Sequence, residues 1–244
     1  MLTILVHTGG RPLSPTCFIG IDLSWKCCPF KEKATAICVC DTSGHTECPQ
    51  LVTSDDEIMG SVLANPGGWV GIDAPLIVPN QHGLRTGERM AVQSGLHILP
   101  TNRTFLQKTC GGVRAEALVE RLEKNGYSHA RPGQDSGATF FETYPYSLVH
   151  HLFGRGFSYK KGKAAEKRNG CLEILLRLQG WEPSIDVPDA FFDEVRDAAP
   201  GELKQVADKV DAVLCAACLY AHWLYGGQRT RLVGDEKDGY ILIV

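Results

Sequence analysis

The segment "FIGIDLSW" spans residues 18–25 and joins a run of apolar residues to a carboxylate, Asp22. A second copy of this pattern, "WVGIDAPL", spans residues 69–76 and carries Asp73 at the equivalent position. Apolar runs of this length are typical of strands that are buried on both faces of an α/β sheet. Because both strands end in Gly-Ile-Asp, we expect them to be parallel neighbours whose carboxylates converge at one edge of the sheet.

The rest of the pattern predicts a β-β-β-α-β order that continues with helices and one more strand, as in a single α/β domain. The predicted strands cover 17–23, 33–40, 48–54, 67–76 and 138–145, with a hairpin at 230–244. The predicted helices cover 54–65, 116–126, 146–154, 164–180 and 201–227. Residues 77–115 have no clear period. The predicted domain is 17–244, with an irregular leader at 1–16 and a helical insertion before the last long helix.

The composition is that of an ordinary globular chain. Of the 244 residues, 43% are hydrophobic, and the net charge is −3. The apolar stretch at the N-terminus has no basic residue ahead of it, so we expect no signal peptide and a cytoplasmic location. A negative chain does not bind nucleic acid by charge alone. The stretch 155–168 nevertheless has six basic residues and one acid, which indicates either a solvated face or a patch that contacts phosphate.

The ten cysteines favour buried free thiols over a metal site or a disulfide framework. Only one CxxC occurs, at Cys215 and Cys218, and no second pair stands at a zinc-like spacing.

Acidic residues recur where ligand chemistry is usually built. Asp22, Asp73 and Glu142 each end a predicted strand, and Asp208 and Asp211 share one face of the long helix. Carboxylates gathered in this way repel one another unless a cation neutralises them, and Mg²⁺ or Mn²⁺ prefers such oxygen ligands. Each acid also has a plainer explanation as a cap, a turn former, an ion-pair partner or a solvated side chain.

The long helix offers two candidate ligands. We expect Asp211 to reach the metal, with Asp208 either as an alternate ligand or in contact with the ligands. Asp211 lies beside the buried stripe that contains Val210 and Leu214, whereas Asp208 lies nearer the helix start, where any carboxylate is favoured.

The ordered set of motifs resembles the family catalogued as domain of unknown function 429 (DUF429), which is grouped with the ribonuclease H-like fold as predicted nucleases. The motifs run from "FIGIDLSW" and "VGIDAPL" through "RTGER", "FETYP" and "DKVDAVLCAACLYAHWL" to "GDEKDGYILIV". The resemblance implies a mixed five-stranded sheet whose first three strands form an antiparallel meander. Its fourth and fifth strands would lie parallel to the first.

By position, the resemblance implies that Asp22 and Asp73 are the acids of the first and fourth strands. Asp208 or Asp211 matches the acid of the last helix, and Glu142 stands in the E-x-Y-P motif. In many nucleases of this fold the second acid is a glutamate, so Asp73 departs from that pattern.

Three functions remain open from the sequence. The first is a metal-dependent nuclease, in which Asp22, Asp73, Glu142 and Asp211 act at one or two Mg²⁺ or Mn²⁺ ions on a nucleic acid or nucleotide. The second is a phosphotransferase or ATPase of the actin-like or sugar-kinase type, and the third is a non-catalytic binding protein. In the first, the substrate's phosphates would be held by Arg85, Arg89, Lys160, Lys161, Lys163 and Arg168.

Overall fold

The computed structural model describes residues 14–27, 34–134 and 137–244. Residues 1–13 of the predicted leader lie outside the described residues. The strands are β1 Cys17–Asp22, β2 Thr35–Asp41, β3 Gln50–Val52, β4 Trp69–Ile72, β5 Ser128–His129, β6 Thr139–Thr143, β7 Arg231–Asp235 and β8 Gly239–Ile243. The helices are α1 Asp55–Leu63, α2 Thr86–Gln93, α3 Arg103–Cys110, α4 Arg114–Lys124, α5 Pro145–Phe153, α6 Ala164–Gln179, α7 Asp189–Asp197 and α8 Leu203–Leu224.

The strands form one mixed sheet in the order β3-β2-β1-β4-β6-β8-β7, with β5 also paired to β6. As predicted, β1, β2 and β3 form an antiparallel meander, and β4 and β6 run parallel to β1. The expected number of five strands is wrong, because the described residues contain eight. The C-terminal hairpin, which was predicted only as a hairpin, extends the sheet by pairing β8 in parallel with β6.

Two short helices, α2 and α3, occupy the stretch 77–115 in which no element was predicted. Each has only eight residues, too few for a clear helical period. The ends of α3 did carry a readable signal. The side chain of Asn102 accepts a hydrogen bond from the Phe105 N–H at 2.9 Å, and Gly111 ends the helix in the left-handed conformation with φ of 83°.

Helices cover both faces of the sheet. Alternate side chains of a strand point to opposite faces, so each buried strand contributes to the core on both sides. Phe18 of β1 packs in the cluster built around α8, whereas Ile19 and Ile21 pack in the cluster that contains α1 and α4. By this alternation Phe18, Gly20 and Asp22 share the face that α8 covers. The last residue of β1 is therefore directed towards the long helix.

Glycine in the Gly-Ile-Asp repeat is explained by the close approach of α8. Gly20 pairs with Gly71 across β1 and β4. A Cβ atom at Gly20 would lie 2.0 Å from the carbonyl oxygen of Ala212 and 2.5 Å from the amide nitrogen of Ala216. A Cβ atom at Gly71 would lie 3.0 Å from Cδ1 of Leu219. Gly20 thus leaves the space in which the backbone of α8 lies on the sheet, and Gly71 leaves the space for the Leu219 side chain of the same helix.

The cysteines on these elements are free thiols, as predicted. Cys38 and Cys40 of β2 and Cys215 and Cys218 of α8 are all buried and unpaired by any disulfide in the described residues. Cys28 lies outside the described residues. Within the described residues, α8 included, none of the helices combines the length and hydropathy needed to cross a membrane.

We predict that Gly20→Ala lowers the free energy of unfolding by about 3 kcal/mol, because the new methyl group meets backbone atoms that cannot move aside. Gly60→Ala is the matched control. Gly60 lies inside α1, and apart from its chain neighbours and the backbone of its own helix no described heavy atom lies within 4 Å of an added Cβ. Gly60→Ala should therefore raise stability by about 0.5–1 kcal/mol. Urea unfolding of both variants measures the difference, and equal stabilities would contradict the packing argument.

Candidate metal centre

Three carboxylates from three different elements meet at one edge of the sheet. Asp22 ends β1, Asp73 follows β4, and Asp211 lies on α8, and one oxygen of each lies within 4.8 Å of the others. The parallel pairing of Ile21 with Ile72 places the first two side by side. The Asp73 N–H also donates to the carbonyl of Ile21 at 2.8 Å. The convergence predicted from the two Gly-Ile-Asp repeats is therefore present.

Asp211, and not Asp208, completes this carboxylate cluster, which we define as Asp22, Asp73 and Asp211. Asp211 immediately precedes Ala212, whose carbonyl lies against Gly20, so the same approach that requires glycine brings Asp211 to the sheet. Its side chain is only 1% exposed. Asp208 instead pairs with Lys204 one helical turn earlier, with Nζ and Oδ2 2.5 Å apart.

One cation lies against the carboxylate cluster. Lys160, from the loop between α5 and α6, forms an ion pair with Oδ2 of Asp211, and the Tyr159 hydroxyl donates to Oδ1 of the same residue. Burial lowers the pKa of Lys160, but the charges of Asp211, Asp22 and Asp73 outweigh burial and hold this pKa above its usual range. Lys160 therefore stays protonated and neutralises one of the three carboxylates.

The carboxylates themselves resist full ionisation in the absence of a further cation. Burial, followed by the charges of Asp211 and Asp73, raises the pKa of Asp22 well above its ordinary value. Burial, followed by the charge of Asp211, raises the pKa of Asp73 to about 7. Burial also raises the pKa of Asp211, although Lys160 and Tyr159 oppose that shift. A cluster of acids with raised pKa values, of which Asp211 is buried and Asp22 and Asp73 are half-buried, is a favourable place for a cation.

We expect metal-free protein to lose stability as the pH rises from about 4 to about 7, because an unfolded aspartate has a pKa near 3.9. In this window the folded state still holds the proton on Asp73, whose pKa is about 7, while the unfolded chain has released it. The stabilisation present below pH 4 is therefore lost as the pH passes through the window. Thermal unfolding in a chelator measures the slope, and Asp73→Asn should flatten it. A melting temperature that rises over the window would contradict the assignment.

Glu142 lies beside the carboxylate cluster but is held by other partners. Its two oxygens accept from Arg85 at 2.5 and 2.9 Å, and one of them also accepts from the Leu76 N–H at 2.9 Å. Arg85 donates further to Glu88 at 3.0 Å and to the carbonyl of Ile77 at 3.0 Å. Glu142 is thus held in an ion pair, which is the non-catalytic explanation that the sequence also offered for it. Arg85 and Glu142 together fix the segment that follows Asp73.

The other predicted phosphate-binding residues are dispersed. Arg89 donates to the carbonyl of Leu84 and to Thr86, Arg168 donates to the carbonyl of Ala198, and Lys163 is exposed at the start of α6. Only Arg85, Lys160 and Lys161 line the cavity that reaches the carboxylate cluster. The basic stretch 155–168 therefore contributes two lysines to the site rather than a continuous basic face.

This cavity has a volume of about 690 Å³ and was not foreseen from the sequence. Its charged part is formed by Asp73, Asp211, Lys160 and Lys161, and by Arg85 with its partners Glu88 and Glu142. The rest of its wall is rich in aromatic residues, which are Trp25, Tyr144, Tyr146, Phe157 and Tyr159. Two of these tyrosines flank Pro145 in the segment after Glu142, where the sequence "YPY" was the available signal. The remainder are brought together only by the tertiary fold.

The fold and the site define an α/β protein with a cluster of carboxylates beside a cavity. The model of the family described as "Protein of unknown function (DUF429)" matches residues 20–238, which include all three aspartates of the cluster. The chain belongs to this family, as its motifs predicted. Comparison with curated proteins and with solved structures gave no match.

Proposed function

We propose that the protein is a hydrolase of phosphodiester bonds that depends on Mg²⁺ or Mn²⁺ and has a ribonuclease H-like core. The observation that carries the proposal is the convergence of Asp22, Asp73 and Asp211 within 4.8 Å from two strands and a helix. The strand order β3-β2-β1-β4-β6, with only β2 antiparallel to its neighbours β1 and β3, supports the ribonuclease H-like part.

The residues present fit a divalent cation. The three ionised carboxylates carry a charge of −3, Lys160 carries +1, and the remaining −2 is balanced by one divalent ion. A donor set made only of carboxylate oxygens suits Mg²⁺ or Mn²⁺ better than softer metals. Asp22, Asp73 and Asp211 would hold the ion, which supplies Lewis acidity and a lowered pKa for water when it is bound.

The chain's own residues would bind and orient the phosphate. Lys160 has three N–H donors, of which one is directed to Asp211, so two are left for phosphate oxygens. Lys161 lies beside it in the cavity wall. In the reaction a water oxygen bonds to phosphorus as the bond from phosphorus to the ester oxygen breaks. The proton lost by the water ends on the departing oxygen, so that a phosphomonoester and an alcohol result without any change of oxidation state.

Hydrolysis of bis(p-nitrophenyl) phosphate with added Mn²⁺ tests this function. We expect activity in the parent protein and a loss of at least about a hundredfold in Asp22→Asn, because metal-derived stabilisation is worth several kcal/mol. The variant should keep or raise its melting temperature in chelator, since one repelling charge has been removed. A clear fall in that temperature would instead make Asp22 a structural residue. Absence of hydrolysis in a parent protein that binds Mn²⁺ would favour the non-catalytic alternative.

Calorimetric titration with Mn²⁺ separates the two acids of α8. Asp211→Asn should weaken Mn²⁺ binding by more than about tenfold, since even indirect partners of metal ligands cost this much when they are lost. Asp208→Asn is the matched control. Because Asp208 pairs with Lys204, we expect its loss to change the affinity by less than about threefold, the scale of a partly screened surface charge. The reverse result would make Asp208 the ligand, and no effect in either variant would remove α8 from the site.

A further inference from the structure

The cavity beside the carboxylate cluster has the character of a small-molecule site. Its volume of about 690 Å³ lies within the range of pockets that enclose most of a small ligand. It combines the charged end at Asp73, Asp211 and Lys160 with a larger aromatic part. At its wall Leu99 is 55% exposed and adds apolar surface. The site therefore offers one region for a charged group and another for an apolar one.

The aromatic rings of the wall are held in place at their polar edges. The indole N–H of Trp25 donates to the carbonyl of Asp73 at 3.1 Å, and the hydroxyl of Tyr146 donates to the carbonyl of Phe157 at 3.2 Å. The hydroxyl of Tyr144 donates to the carbonyl of His97. Since these hydrogen bonds use the polar atoms, the rings contribute apolar surface that is already ordered before a ligand arrives.

The surface around the cavity is unlike that of a protein that binds a nucleic-acid duplex. Such proteins present a basic stripe that follows the phosphate backbone. Here Lys160 is paired with Asp211, and Arg168 is turned to the carbonyl of Ala198. Arg89 lies at a separate depression with Asp235 and Asp238. Of the predicted phosphate-binding residues, Lys160 and Lys161 reach the cavity together with the ion-paired Arg85, and they form no continuous basic stripe.

From this arrangement we infer that the substrate is a nucleotide-sized phosphodiester with an aromatic ring system, and not a nucleic-acid duplex. Its phosphate lies at the carboxylate cluster with Lys160 and Lys161, and its ring system enters the aromatic part of the cavity. Planar rings stack on aromatic side chains with little dependence on the identity of the base, so the ring is recognised as a class. This inference rests on the proposed function, because the phosphate is placed by the proposed metal centre.

Ligand binding to the unaltered protein provides the first test. Calorimetry with thymidine 5′-monophosphate and with ribose 5-phosphate, each in Mn²⁺, compares ligands with and without a base. We expect the nucleotide to bind at least about tenfold more tightly, as stacking of one base allows. Equal affinities would overturn the role of the aromatic cavity. Repeating both titrations in chelator shows whether the ring is bound even if the metal centre fails.

Catalytic preference provides the second test. We expect the kcat/KM for thymidine 5′-(p-nitrophenyl phosphate) to exceed that for bis(p-nitrophenyl) phosphate and to be unaffected by added DNA duplex. Strong inhibition by the duplex, or its cleavage at a higher kcat/KM, would overturn the substrate class while leaving the proposed metal-dependent hydrolysis intact. Absence of Mn²⁺ binding would overturn the proposed function itself, and the titrations in chelator would still report on the cavity.

Variants of the aromatic cavity wall test whether these rings bind the base of the nucleotide. Phe157→Ala and Tyr146→Ala should each weaken thymidine 5′-monophosphate by about tenfold while ribose 5-phosphate is unchanged. Tyr225→Ala is the matched control, because Tyr225 lies away from the cavity, between Glu182 and Arg229. Circular dichroism melting checks that each variant is folded. If folded wall variants lose affinity equally for both ligands, the inference is contradicted. If the wall variants do not fold, the comparison of the two ligands on the parent protein still decides.

Discussion

The contact between α8 and β1 at Gly20 is the constraint on which the site depends. The helix lies so close to the sheet that a single methyl group at Gly20 would overlap the carbonyl oxygen of Ala212. Packing of this density cannot be relaxed by a shift of one side chain, because the opposing atoms belong to the backbone. The neighbour of Ala212 is Asp211, so the contact sets the distance from this carboxylate to Asp22 and Asp73. Apolar burial of α8 thereby imposes an electrostatic arrangement that the carboxylates would not adopt alone.

The raised pKa values of the aspartates show that their ionisation is unfavourable in this arrangement. Burial and mutual repulsion raise the pKa of Asp22 and of Asp73, and Lys160 offsets only part of the charge. A structural role alone would be served as well by asparagine, which carries no charge to repel its neighbours. The proposed divalent cation would turn the mutual repulsion of the three carboxylates into shared attraction.

The parts of the molecule that could be predicted from sequence are those governed by local pattern. The continuous apolar runs of β1 and β4, their shared Gly-Ile-Asp ending and the apolar stripe around Val210 predicted that Asp22, Asp73 and Asp211 lie together, as they do. An ion pair was one explanation offered for Glu142, but its partner, Arg85, was not predicted, because the two residues are 57 positions apart and the intervening α2 and α3 are too short to show a period. The cavity was missed for the same reason, since Trp25, Tyr144 and Phe157 meet only through long-range contacts.

The buried ion pair of Arg85 and Glu142 joins the carboxylate cluster to the cavity. Burial lowers the pKa of Arg85, but the charges of Glu142 and Glu88 outweigh burial and keep the guanidinium protonated. Such pairs seldom add much net stability, because two charges must leave water. Removing one partner nevertheless leaves the other charge buried without a counter-charge. Their value here is positional. Through the hydrogen bonds to Leu76 and Ile77 the pair fixes the segment that begins at Asp73, and through Glu88 it fixes Thr101 in the cavity wall. One network of hydrogen bonds therefore holds both Thr101 in the cavity wall and the segment that begins at Asp73.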